Sequence, residues 1–129
     1  MSTNWWEPRK DFKGCVYMRE GAWIRGFNAA ITVCDREGRI LEMNNKACQV
    51  FAKDGGSKLI GTNVLDCHPE PAKKKLKNMM EAQVENIYTT EKNGIKKLVF
   101  QAPWFIDGEY MGFIEMLIEI PLEMQHFKR

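Results

Sequence analysis

The sequence predicts an α+β domain: a five-stranded antiparallel sheet with helices laid over one face. Three observations carry this. Two extended runs joined by a tight turn occupy residues 28–35 and 39–44. A helical stretch follows, ending in an amphipathic segment from Ala72 to about Asn86. Three more extended runs close the chain, joined by Lys92-Asn93-Gly94 and Asp107-Gly108. Strands, then helices, then strands favour an antiparallel sheet with segregated helices over alternating parallel units.

Each element has its own warrant. Residues 1–22 carry Trp5, Trp6, Phe12, Val16 and Tyr17, too apolar for a disordered tail. They read as a helical cap or a dimerisation segment, with a helix over Lys13–Arg25. In the first strand Ile31 and Val33 alternate with Thr32 and Cys34, the period of a half-buried strand. Asp35-Arg36-Glu37-Gly38 is a turn, since an Asp side chain bonds local N–H groups and Gly accepts positive φ. Arg39 to Met43 resumes the extended run, and Asn44 offers an oxygen to cap a helix over Asn45–Lys53. Two glycines, Gly55 and Gly56, end that helix. Residues 63–71 read as an irregular linker. Pro71 suits the first helical position of the next segment. There Leu76, Met79, Met80, Gln83, Val84 and Ile87 share one face. Lys73, Lys74, Lys75 and Lys77 read as a solvated face, with a patch for an acidic partner surface as the sharper alternative. Asn93-Gly94 is a strong hairpin signal between strands Ile87–Glu91 and Ile95–Phe105. The last strand, Tyr110–Ile120, reads as central, and Pro121 ends it.

Asp35, Gly38, Asn44 and Ala47 stand where a PAS domain has its Asp-x-x-Gly turn, its strand-ending Asn and the small residue of its first helix. Leu59-Ile60-Gly61, the strand from Lys96 to Phe105 with Pro103, and the turn Asp107 to Gly112 continue the pattern. The chain therefore resembles the PAS family of small sensory and interaction modules over about residues 23–121, leaving 122–129 as a short tail. The resemblance implies an inner pocket between sheet and helices. Its candidate lining is Ile31, Val33, Val50, Phe51, Leu76 and Met79, continued by Met80, Val84, Val99, Gln101 and Ile114. These residues could equally fill one another's space. The resemblance also implies a sensory function: a ligand in the pocket, a homodimer, and signalling to an effector protein. A ligand-free dimerisation domain is the alternative.

Cys67-His68-Pro69 lies at the pocket's edge in the PAS pattern, and a similar step occurs in PAS domains of hemerythrin-linked sensors. Some PAS domains hold haem through a histidine in this neighbourhood, which makes His68 a candidate axial ligand, against the plainer reading of a helix-start residue. Flavin photochemistry is not expected. The flavin-binding branch carries Gly-x-Asn-Cys-Arg-Phe-Leu-Gln, whereas Gly61-Thr62-Asn63 is followed here by Val64, and Cys67 comes three positions late.

Composition sets limits. The chain has 129 residues, which is one domain by length, with 44% hydrophobic and 28% charged residues, as in soluble globular proteins. A net charge of +2 gives no electrostatic footprint for nucleic acid. No run reaches a membrane span, the first residues lack the apolar segment of a signal peptide, and a cytoplasmic setting is expected. The four cysteines, at 15, 34, 48 and 67, show neither disulfide-framework nor zinc spacing. An enzyme is the weakest reading. Cys67 and His68 are neighbours that would point apart in an extended segment, and no phosphate loop or nucleophile elbow occurs. The family's usual closing Asp-Ile-Thr is replaced by Glu119-Ile120-Pro121. No effector domain accompanies the chain, so both a fragment of a larger sensor and a free-standing module stay open.

Overall fold

The structure, a computed structural model, describes residues 21–129 together with the backbone of two short strands, β1 (Arg9–Lys10) and β2 (Val16–Tyr17). These two pair antiparallel, with Arg9 opposite Tyr17. The helix expected over 13–25 is not formed as such. Val16–Tyr17 is extended, and helix α1 is confined to Ala22–Arg25, preceded by Gly21 in a left-handed conformation. The side chains of the N-terminal aromatic residues, and with them the expected cap or dimer contact of 1–22, lie mostly outside the described residues.

The main sheet has five strands in the order β4-β3-β7-β6-β5, every neighbouring pair antiparallel. They are β3 (Ala30–Asp35), β4 (Ile40–Met43), β5 (Asn86–Lys92), β6 (Ile95–Ile106) and β7 (Glu109–Ile120). The last strand is central, as its apolar run predicts. It pairs with β3 from Ala30↔Leu117 to Asp35↔Gly112 and with β6 along its whole length. Both hairpin turns have positive φ at both central residues: Asn93 (54°) and Gly94 (77°), then Asp107 (49°) and Gly108 (80°). That geometry matches the strand twist, and Asn, Asp and Gly reach it at least cost. The first turn is held as its chemistry requires, Asp35 Oδ1 accepting from the N–H groups of Glu37 (3.0 Å) and Arg39 (2.8 Å).

Asn44 does more than cap. It caps helix α2 (Asn45–Val50), its Oδ1 accepting from Ala47 N–H at 3.0 Å. The same oxygen accepts from Ile31 N–H at 3.0 Å, while Nδ2 donates to the carbonyls of Ala29 (2.7 Å) and Ile24 (3.0 Å). At 3% exposure this one amide joins α1, β3 and α2, with its donor and acceptor sides both satisfied. Helix α2 is shorter than the expected Asn45–Lys53. The chain continues as 3-10 turns at Ala52–Asp54 and Gly56–Leu59, around Gly55 with φ 121°.

Helix α3 spans Ala72–Ala82 and stops earlier than its apolar periodicity suggests. Gln83 takes a left-handed conformation (φ 55°) and Val84 N–H returns to the Met79 carbonyl at 3.3 Å, a hydrogen-bonded helix stop. Val84 and Ile87 therefore leave the helix face and are 47% and 53% exposed. Helices α2 and α3 lie over one face of the sheet. Ala47 packs with Ala30, Ile40 and Met43, and Leu76 and Met80 pack with Cys34 and Phe113. Val64 touches both clusters and bridges them.

Candidate functional site

Between that sheet face and the helices lies a cavity of about 350 Å³. Its floor is built by strand alternation. Thr32 and Cys34 of β3, Phe113 and Glu115 of β7, and Gln101 of β6 share the helix-facing side, paired as Cys34↔Phe113, Thr32↔Glu115 and Gln101↔Glu115. Leu76 and Met80 come from α3, Phe51 from the end of α2, and Val64, Cys67 and His68 from the 3-10 turn Val64–Cys67 and its cap. The walls are mostly apolar with a few placed polar groups, the usual character of a small-molecule site.

Of the pocket residues expected from sequence, Phe51, His68, Leu76, Met80 and Gln101 border this cavity; Ile114 touches it too, although it pairs with Val33 and shares that residue's side of the sheet. Ile31 and Val33 do not. They lie on the opposite side of β3, beside Ile24 and Arg25 in a second cleft. Val99 is buried but not in the lining, Val50 stands 36% exposed, and Met79 and Val84 lie on an outer groove along α3. The error at β3 is one of parity: one step along a strand exchanges the faces. Apolar alternation alone points Ile31 and Val33 to the pocket side. The fold puts Thr32 and Cys34 there, and Ile31 on the other face shares its cleft with Ile24 of α1. Thr32, Cys34, Asp54, Val64, Phe113 and Glu115 were not foreseen. Alternation from Gln101 across the sheet was the available signal for Glu115.

The polar groups form an ordered chain. Asn86 Nδ2 donates to Gln101 Oε1 at 3.0 Å, and Gln101 Nε2 donates to Glu115 Oε2 at 2.8 Å. This fixes the buried Gln101 amide with its NH₂ toward the Glu115 carboxylate. Burial pushes the Cys34 thiol above its ordinary value, opposed by a hydrogen bond from Phe113 and reinforced by the charges of Asp35 and Glu115. Tyr88 is raised in the same way, first by burial and then by Glu115.

His68 and Cys67 both line the cavity, against the expectation that they point apart, because residues 64–67 turn where an extended segment was expected. They form no dyad. His68 Nδ1 lies 2.9 Å from the Val64 carbonyl oxygen, and the Cys67 thiol is directed at the Asn63 carbonyl at 4.0 Å. A carbonyl only accepts, so Nδ1 carries the proton and Nε2 is the ring's remaining ligand atom. That atom could bind iron, but the surroundings do not fit haem. Among the described residues no Lys or Arg lines the cavity to meet the two propionates, whereas Asp54 and Glu115 bring two carboxylates. Among the described residues no group of His, Cys, Asp and Glu side chains could hold a metal ion, and no helix is long and apolar enough to cross a membrane.

No family model matches the sequence, and no curated protein does. Solved structures do match. A C-terminal domain from Streptococcus mutans is 19% identical, with a TM-score of 0.65 over 90% of this chain and 94% of that one. The PAS domain of BvgS from Bordetella pertussis is 18% identical, with a TM-score of 0.56 over 76% and 81%. The Aer2 receptor of Vibrio cholerae, described as a dual PAS-heme oxygen sensor, is 20% identical, with a TM-score of 0.52 over 75% and 98%. The chain has the PAS fold.

Proposed function

We propose that this chain is a sensory signal-transduction module that binds a small molecule in the cavity beneath α2 and α3 and signals through protein association. The observation that carries it is the cavity itself. A volume of about 350 Å³ is within the range of small-molecule sites, and its apolar walls converge on a fixed amide and carboxylate. The PAS fold of sensor proteins supports the same reading. Association is supported by large exposed apolar groups such as Trp23, Phe27, Phe105, Ile106 and Phe127. Such groups gathered into patches mark interaction surfaces. We expect a homodimer acting in the cytoplasm. Native mass spectrometry of the purified protein, followed by sedimentation with and without the released small molecule, tests the reading. A small molecule released on unfolding, whose return changes the association state, is the expected result. A monomer at high micromolar concentration that carries nothing contradicts it.

A further inference from the structure

We propose that the cavity selects a small apolar ligand bearing a protonated amine or amidinium, with the Glu115 carboxylate as its anchor; this rests on the ligand-binding reading above. Among the described residues two carboxylates, Asp54 and Glu115, border the cavity, and no lysine or arginine does. A chain with a net charge of +2 thus turns only acidic charged side chains toward this space. An anionic ligand would meet the half-buried Glu115 carboxylate, with the exposed Asp54 at the rim adding a second, better-screened like charge.

The remaining polar groups point the same way. Glu115 Oε2 already accepts from Gln101 at 2.8 Å, which holds the carboxylate in one orientation. A carboxylate has about four acceptor positions, so that bond leaves the group able to accept from a ligand. Gln101 cannot turn its carbonyl to the ligand, because its Oε1 accepts from Asn86 at 3.0 Å. Beside the second Gln101 N–H and the Thr32 hydroxyl, the Glu115 carboxylate is the charged acceptor of the lining and calls for a donor on the ligand. Phe51 and Phe113 add aromatic faces to the lining, and such faces attract cations as well as flat apolar rings. A protonated amine on an apolar body meets all of these features, and its charge-assisted bond to Glu115 is of the strong kind.

The test uses three molecules of one shape and different charge, measured by calorimetry on the whole chain: tryptamine, tryptophol and indole-3-acetate. Tryptamine should bind most tightly and indole-3-acetate most weakly. In Glu115→Gln, checked for native circular dichroism, tryptamine should weaken by about tenfold or more while tryptophol changes little. Asp54→Asn should have the smaller effect. Equal binding of all three, or preference for tryptophol or the acetate, overturns the cation while leaving ligand binding in the cavity intact. Loss of tryptamine binding in Asp54→Asn but not in Glu115→Gln overturns the anchor. Saturable binding by none of the three overturns this proposal and the ligand-binding reading together. The ranking in the unmodified chain decides the charge question even if Glu115→Gln does not fold.

Discussion

Gly112 sits where β7 passes β3, opposite Asp35, with φ at 150°. A Cβ there would lie 2.0 Å from the Cys34 carbonyl oxygen and 2.8 Å from both the carbonyl carbon and the Cα of Asp35. These neighbours are backbone, and an ordinary contact begins at 3.4 Å, so Gly112→Ala must push two paired strands apart by more than an ångström. The same carbonyl accepts a hydrogen bond from Trp104 Nε1 at 3.0 Å, so the displacement also disturbs the link between β3 and β6. Backbone strain at an unfavourable φ and overpacking each contribute about 1–3 kcal/mol, giving about 4 kcal/mol in all. That is a large part of the roughly 5–15 kcal/mol that holds a domain together. Gly108→Ala is the control. It also has positive φ (80°) but meets nothing within 4 Å, so it should cost only about 1 kcal/mol. Urea denaturation of both variants separates steric overlap from strain. Equal midpoints for the two, or a Gly112→Ala midpoint close to that of the parent chain, would refute the close-approach argument.

Other outcomes follow from the same geometry. Asn44→Ala removes a helix cap and leaves the Ile31 N–H and the Ala29 carbonyl without their partner, so it should cost about 3 kcal/mol by urea denaturation. Mass-mapped alkylation should label exposed Cys67 well before buried Cys34. The Cys34 thiol is raised from its ordinary 9.0 chiefly by burial, so the unfolded chain loses that proton first. The unfolded state then binds fewer protons than the folded one, and stability should fall as pH rises above about 9, as the urea midpoint will show. Leu76→Trp, which places a large ring in the cavity, should abolish tryptamine binding in calorimetry while leaving the far-ultraviolet circular dichroism native.

The sheet was legible in the sequence because its information is local. Asp35 and Gly38, Asn93-Gly94 and Asp107-Gly108 mark turns whose side-chain chemistry works within four residues, and the structure uses each of them. Asn44 was legible as a cap but not as the link to Ile24, Ala29 and Ile31, since those bonds join positions far apart in sequence. The cavity was half legible. Leu76 and Met80 follow from helix periodicity. Ile31 and Val33 were assigned to the wrong face, because a strand with apolar residues at 31 and 33 and semi-polar ones at 32 and 34 becomes unambiguous only once cover on its other face is known. Val84 was lost to a left-handed Gln83 that periodicity does not register. Glu115 escaped because a carboxylate is ordinarily assigned outward, and only its place opposite Gln101 and Thr32 brings it in.

Nitrogen–proton correlation spectra recorded during a tryptamine titration report whether the space beneath α2 and α3 is a ligand site. Saturable shifts concentrated at the amides of Thr32, Cys34, Gln101 and Phe113 are predicted, with the outer-face amides of Val33 and Ile118 moving less. Shifts confined to the outer face or to residues 122–129, or no saturable shifts at all, would contradict it.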